Sequence, residues 1–235
     1  MIVVQQKPLD RIREMIADYD KILILGCGTC ATVSFAGGEK EVQALASILR
    51  MADRLKEGEK QFLEHTIKRQ CEWEFVDEIE PMVKEVDAIL SLGCGIGVQA
   101  IVQRFPDVPV LPGLDTSFMG LPQEQGMWNE MCVACGNCIL DLTAGICPIA
   151  RCSKSLLNGP CGGSHDGKCE ISPDLPCAWQ LIIERLTKLG RLHELEDIMP
   201  PKDWSTSAAG GARRIDRSDL RITSQEATLQ GHEPN

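Results

Sequence analysis

The residues with the clearest capacity for chemistry are the cysteines, of which the 235-residue chain has twelve. The amino-terminal residues contain no basic region followed by a long apolar stretch, and no apolar run is long enough to span a bilayer, which predicts a cytoplasmic location. Thiols in the cytosol are kept reduced, so disulfides are a poor explanation for so many cysteines. The composition therefore predicts that the cysteines serve mainly as metal ligands.

The most specific spacing is Cys132-x2-Cys135-x2-Cys138, which resembles the opening run of bacterial ferredoxins. Cys147-Pro148 resembles the Cys-Pro pair that closes such a run, although eight residues precede it here instead of three. Together with the cysteines that follow, this segment has eight thiols, enough for two four-cysteine sites whose ligands would interleave as in ferredoxins. The further expected metal ligands of this segment are Cys152, Cys161, Cys169 and Cys177.

Four more cysteines follow apolar runs in the first half of the chain. Ile22–Leu25 and Ala88–Leu92 are predicted strands, and the stretch around His65–Ile67 is a weaker one. Ligands bind beyond the carboxyl ends of parallel strands, so we expect one four-cysteine metal site there. Its ligands would be Cys27, Cys30, Cys71 and Cys94. Neighbouring glycines would let the backbone approach a bound cluster and hydrogen-bond its sulfides; they are Gly26, Gly28, Gly93 and Gly95.

The elements that must position these thiols alternate between helix and strand. Helical spacing predicts helices over residues 8–20, 42–49, 76–86 and 98–105, and Val108–Leu111 is a final short strand. This alternation predicts an α/β fold with a Rossmann-like parallel sheet. The expected domains are an α/β domain (1–125), a cysteine-rich cluster-binding domain with a C-terminal helix around 178–189 (126–200), and an extended partner-binding or disordered tail (201–235).

Composition and motifs leave three other interpretations open. Four thiolates also suit zinc, which would make the chain a structural, partner-docking protein without a redox role. Gly26-x-Gly28-x-x-Ala31 matches the dinucleotide fingerprint, and Cys27-x-x-Cys30 matches a thiol redox pair. The net charge of −10 argues against nucleic acid as a partner. No set of catalytic residues stands out, so the predicted role is electron transfer rather than substrate chemistry.

These motifs together resemble the MetV-type small subunit of methylenetetrahydrofolate reductase, in the methylenetetrahydrofolate reductase C-terminal domain family. The resemblance rests on the glycine-flanked cysteines, on Lys68-Arg69-Gln70-Cys71-Glu72, on Cys132 to Cys177, and on Lys202-Asp203-Trp204-Ser205 with Gly210 to Arg214. It covers nearly the whole chain.

The resemblance implies an oxidoreductase complex of one-carbon metabolism. Within it, this chain would be an iron-sulfur subunit with two or three [4Fe-4S] clusters, or with clusters in some sites and zinc in one. It would deliver electrons to a flavin-containing catalytic subunit, and heterodisulfide-reductase-like, electron-bifurcating subunits could join a larger assembly. We expect no membrane contact. In the tail, Trp204 and Arg213-Arg214 are expected to lie against the flavoprotein, whereas Ser224 to Asn235 fit a disordered extension.

Overall fold

The structure is a computed structural model that describes residues 1–217 and residue 219. Its strands are β1 (Ile2–Gln6), β2 (Lys21–Cys27), β3 (Gln61–Ile67), β4 (Ala88–Leu92), β5 (Val110–Pro112), β6 (Leu114–Glu124) and β7 (Met127–Cys132). Its α-helices are α1 (Leu9–Met15), α2 (Cys30–Val33), α3 (Glu39–Arg54), α4 (Trp73–Val76), α5 (Glu80–Val83), α6 (Gly95–Arg104), α7 (Pro148–Arg151) and α8 (Ala178–Lys188). Short 3-10 helices occupy Asp77–Ile79, Leu192–Glu196 and Ala208–Gly210.

Four strands form a parallel sheet in the order β3-β2-β4-β5. The run Ile22–Leu25 of β2 is fully buried because apolar residues are needed on both of its faces. Ile22 and Ile24 pack into the apolar cluster that contains α1 and α3, whereas Leu23 and Leu25 pack into the cluster that contains α6. The predicted parallel α/β sheet, covered by helices on both faces, is confirmed.

The helix expected over residues 76–86 is divided into three short pieces. α4 ends at Val76, a 3-10 turn spans Asp77–Ile79, and α5 follows with a proline in its first turn. Pro81 has no backbone N–H, so it cannot make the hydrogen bond that would continue a helix from the preceding turn. The buried side chains of Val76, Ile79 and Val83 nevertheless all reach the same apolar cluster.

A second, antiparallel sheet in the order β1-β6-β7 was not predicted. β6 and β7 expose most of their side chains, and β6 contains Gly120 and Pro122, so neither strand has the apolar alternation that marks a strand in sequence. Gly126, with φ of +88°, lies in the turn between them. This hairpin crosses the expected boundary at residue 125 and leads directly into the cysteine-rich segment.

Most of the cysteine-rich segment consists of turns and loops packed against α8, the helix predicted near its end. Trp179 is 2% exposed and its indole N–H donates to the carbonyl of Leu156 at 3.0 Å. Ala144, Ile182 and Leu186 complete a small apolar cluster.

Within residues 1–217 and 219, no helix is long and apolar enough to cross a membrane. The expectation for Ser224 to Asn235 concerns residues outside those described.

Candidate functional site

Three cysteines lie at the carboxyl edge of the parallel sheet, where the strand order changes direction. Cys27 is the last residue of β2, Cys71 follows β3, and Cys94 follows β4. β2 pairs with both β3 and β4 in parallel register, so the ends of all three strands are neighbours. A doubly wound sheet binds its ligand at such a switch point. The topology therefore places three of the four predicted N-terminal ligands at a ligand-binding edge.

The thiols of these three residues are close enough to interact electrostatically. The pKa of Cys71 is raised above its usual value by burial first, and then by the negative charge of Cys94 and Cys27; Arg69 opposes part of this increase. Like charges on neighbouring thiols disfavour their simultaneous ionisation, and a bound cation would relieve that repulsion.

Cys30, the fourth predicted ligand, lies one helical turn further on and faces a different space. It begins α2 and lines an open apolar groove of about 490 Å³ together with Cys132 and the methionines Met1, Met119 and Met131. Cys132 is the last residue of β7 and the first cysteine of the ferredoxin-like run. Cys30 therefore lies between the N-terminal set and the cysteine-rich segment.

The four predicted glycines divide into two kinds. A Cβ on Gly26 would overlap Thr66, and one on Gly93 would overlap the carboxamide of Gln70, so both permit close packing. A Cβ on Gly28 or Gly95 would meet its nearest neighbour at 3.4 or 3.5 Å, an ordinary contact. Gly28 and Gly95 therefore have room beside them, but their amides already have partners. The N–H of Gly28 donates to the carbonyl of Ile67 at 2.9 Å, and that of Gly95 donates to the Thr116 hydroxyl at 2.8 Å.

Gln70 is a residue of this edge that the sequence interpretation did not single out. Its side chain is buried, donates from Nε2 to the carbonyl of Leu25 at 2.8 Å, and accepts at Oε1 from the hydroxyl of Ser91 at 2.6 Å. The Ser91 oxygen in turn accepts from the backbone N–H of Gly93 at 3.2 Å. The position of Gln70 next to Cys71 was the one available signal of this role in the sequence.

Backbone amides donate to the sulfurs of several late cysteines. The N–H groups of Ala134, Ala150 and Gly163 lie 3.4 Å from the Sγ atoms of Cys132, Cys147 and Cys161 respectively. Ala134 has φ of +51°. Such N–H to sulfur bonds favour the thiolate and are a means by which proteins tune metal–sulfur sites.

Hydrogen bonds also surround the sulfur of Cys169. The pKa of Cys169 is lowered by a hydrogen bond with the Ser153 hydroxyl and then by the backbone N–H groups of Ile171 and Ser172. The Sγ–Oγ distance to Ser153 is 3.4 Å. These hydrogen bonds favour the thiolate form of Cys169.

Contacts between neighbouring residues bring the last four cysteines into one region. Cys161 Sγ lies 3.7 Å from Glu170 Oε1, and Glu170 pairs with Lys154. Cys152 and Cys177 both pack against the apolar cluster around Trp179. Residues 152 to 177 thus form one region that contains these four thiols, whereas α7 packs against β7.

The segment after Pro201 packs onto the Cys132–Cys138 loop of the same chain. Lys202 donates to the carbonyl of Asn137 at 2.7 Å, and Thr206 donates to that of Cys135 at 2.8 Å. Arg213 donates to the carbonyls of Ala134 and Thr206 at 2.7 and 3.0 Å. The arginine that was expected to face a partner binds its own ligand loop here, while Trp204 is 44% exposed.

These donors suit a metal that binds sulfur. Thiolates are the ligands of iron-sulfur clusters and of structural zinc, and both accept sets of four. In the part of the chain that the structure describes, no three His, Cys, Asp or Glu side chains are already arranged as a metal-binding group.

The fold and the cysteines define an α/β protein that continues into a thiol-rich segment suited to metal. Residues 111–205 match the family described as methylene-tetrahydrofolate reductase C terminal. The match includes all eight late cysteines and Lys202, and it excludes the four N-terminal cysteines as well as Thr206 and Arg213. Comparisons with curated proteins and with solved structures gave no match. Residues 111–205, less than half of the chain, are therefore similar to the C-terminal domain of methylenetetrahydrofolate reductase.

Proposed function

We propose that this chain is a cytoplasmic iron-sulfur electron-transfer subunit of a MetV-type methylenetetrahydrofolate reductase complex. The observation that carries the proposal is the family match over residues 111–205, because that segment holds eight cysteines with no set of catalytic residues among them. The N–H to sulfur bonds at Cys132, Cys147 and Cys161 support it. With four thiolates to a site, twelve cysteines would hold two or three [4Fe-4S] clusters.

In this role the chain passes electrons and its partner performs the reduction. Converting the methylene group of the folate to a methyl group consumes two electrons and two protons. Clusters carry electrons singly, and the partner's flavin collects them in pairs. The residues of this chain contribute by holding thiolates and by directing backbone N–H groups at sulfur, which stabilises added negative charge. A separate flavin-containing catalytic subunit and, in larger assemblies, heterodisulfide-reductase-like subunits are the proposed partners.

The proposal is tested on full-length chain purified without exposure to oxygen. We expect a brown protein with about four iron and four sulfide per filled site, and an electron paramagnetic resonance signal after reduction by dithionite. The reduced chain should then reduce the flavin of the catalytic subunit. Cys138→Ser should lose one cluster's iron, whereas Val133→Ser, an exposed position in the same loop, should not.

Two results would contradict the proposal. Protein never exposed to oxygen that contains neither iron nor sulfide is not an electron carrier. Zinc as the sole metal would identify a structural, partner-docking subunit instead. Zinc in one site beside iron in the others would keep the electron-transfer role and locate the structural site.

A further inference from the structure

We infer that Gln70 is the positioning residue that holds Cys27, Cys71 and Cys94 together as one ligand set. The inference deepens the proposed function and rests on it only for the identity of the bound group. It requires that the loops bearing the three thiols be tied to one another by something other than the sheet, since each cysteine lies at or beyond its strand's end.

The side chain of Gln70 joins the loop that carries Cys71 to the ends of the two neighbouring strands, β2 and β4. It is attached directly to Cys71 through the backbone. Its amide donates to the carbonyl of Leu25, two residues before Cys27. Its carbonyl oxygen accepts from Ser91, whose hydroxyl oxygen accepts the N–H of Gly93, the residue before Cys94. One carboxamide thus joins the carboxyl ends of three strands.

Burial makes these hydrogen bonds effective restraints. Gln70 is 1% exposed and Ser91 is fully buried, so water does not compete for either side chain. A buried carboxamide that lost a partner would leave an unsatisfied polar group, which favours the one arrangement in which every group is paired. The loop that carries Cys71 is therefore held at a fixed position against the ends of β2 and β4, whose last residues lead to Cys27 and Cys94.

The chain leaves room for this side chain by using glycine on the opposite loop. A Cβ on Gly93 would overlap the Gln70 carboxamide, and a Cβ on Gly97 would lie 2.7 Å from Gln70 Cβ. Both glycines lie in or beside the turn that carries Cys94 into α6. The shapes of the two loops are complementary, which is why Gln70 acts on Cys94 as well as on its neighbour Cys71.

The inference is tested with arsenite, which binds three thiols by exchanging its three hydroxyls for sulfur with release of three waters and no change in oxidation state. Reduced full-length chain is titrated with arsenite, alkylated, and mapped by peptide mass spectrometry, so that the protection of each cysteine is read separately. Because the probe contains no iron, it reports the arrangement of the thiols and not the filling of clusters.

Gln70→Met keeps the side-chain length but removes both hydrogen bonds. Ser91→Ala keeps the Gln70 side chain and removes only the hydroxyl that links Gln70 to Gly93. We expect half-protection of Cys27, Cys71 and Cys94 to need about tenfold more arsenite in Gln70→Met, with a smaller increase in Ser91→Ala. The eight late cysteines should be protected as in the unmodified chain. Gln103→Met, an exposed glutamine on α6, is the matched control and should change nothing.

The outcomes separate the inference from the proposed function. Unchanged protection of the three cysteines in folded Gln70→Met overturns the inference. If Gln70→Met does not fold, unchanged protection in Ser91→Ala overturns it. Loss of protection at all twelve cysteines, with a lower unfolding temperature, would show a general stabilising role and also overturns it. Selective loss at the three thiols supports it, even where the unmodified chain proves to contain no iron and the electron-transfer role fails.

Discussion

The segment after Pro201 should control access to the Cys132–Cys138 loop, and this can be measured by weakening its contacts in steps. Thr206→Val removes the hydroxyl that donates to Cys135 while keeping the side chain's shape. That hydrogen bond is partly buried and contributes about 1 kcal/mol. Lys202 and Arg213 donate at exposed positions, so each contributes less, about 0.5 kcal/mol.

Thr206→Val combined with Lys202→Ala and Arg213→Ala should lower the free energy of opening the loop by about 2 kcal/mol. Local opening of the loop then becomes about thirtyfold more frequent. The assay is hydrogen exchange of the amides from Val133 to Cys138, followed anaerobically by mass spectrometry. We also expect iron to be lost faster to a chelator. Arg214→Ala is the matched control, because this exposed neighbour of Arg213 is not one of the three residues that donate to the loop.

A substitution on the loop side should have the same consequence as one on the tail side. Gly136 has φ of +80°, and a Cβ there would overlap the carbonyl of Thr206. Gly136→Ala and truncation after Pro201 should therefore each speed exchange, and their combination should add little, since both remove the same contact. Exchange that is unchanged by truncation would refute the reasoning and would leave the tail free to bind a partner.

Three further results are expected. Gly93→Ala should lower the free energy of unfolding by about 2 to 3 kcal/mol, because its Cβ would displace the buried Gln70 carboxamide. Gly95→Ala, whose Cβ would make an ordinary contact at 3.5 Å, should change that free energy by no more than about 0.5 kcal/mol. Thermal or urea unfolding distinguishes the two variants. Cys94→Ser should remove one cluster's iron while the late sites stay filled, and full iron retention would refute its role as a ligand. Metal removal should shift the fluorescence of buried Trp179 to the red while the circular dichroism of the parallel sheet persists, because the apolar cluster around this tryptophan is small; an unshifted spectrum would mean that packing alone holds the segment.

The parallel sheet could be predicted because its physical signal is local. The buried run Ile22–Leu25 and the strand Ala88–Leu92 need apolar residues on both faces, and such runs are visible in sequence. The edge position of Cys27, Cys71 and Cys94 then followed from the rule that parallel strands direct their carboxyl ends to one side.

What could not be predicted depends on contacts between distant residues. β1 and β6 expose much of their surface, so their pairing leaves no periodic pattern. Gln70 is an ordinary polar residue in sequence, and only burial beside Leu25 and Ser91 reveals its role. The contact of Arg213 with Ala134 joins residues far apart in the chain, and charge and composition alone had suggested a partner instead.

The pairing of β1 with β6 also affects how the chain folds during synthesis. Ile2 pairs with Met119, and the amino group of Met1 donates to the carbonyl of Gly120, so β1 has no partner strand until β6 has been made. At about 5 to 20 residues per second, β1 waits roughly 5 to 20 s as an unpaired strand on the ribosome. The parallel strands, whose partners emerge earlier, can assemble in that time. Under the proposed function, metal would bind the late cysteines soon after β1 has paired with β6. Met1, which precedes β1, lines the same groove as Cys132.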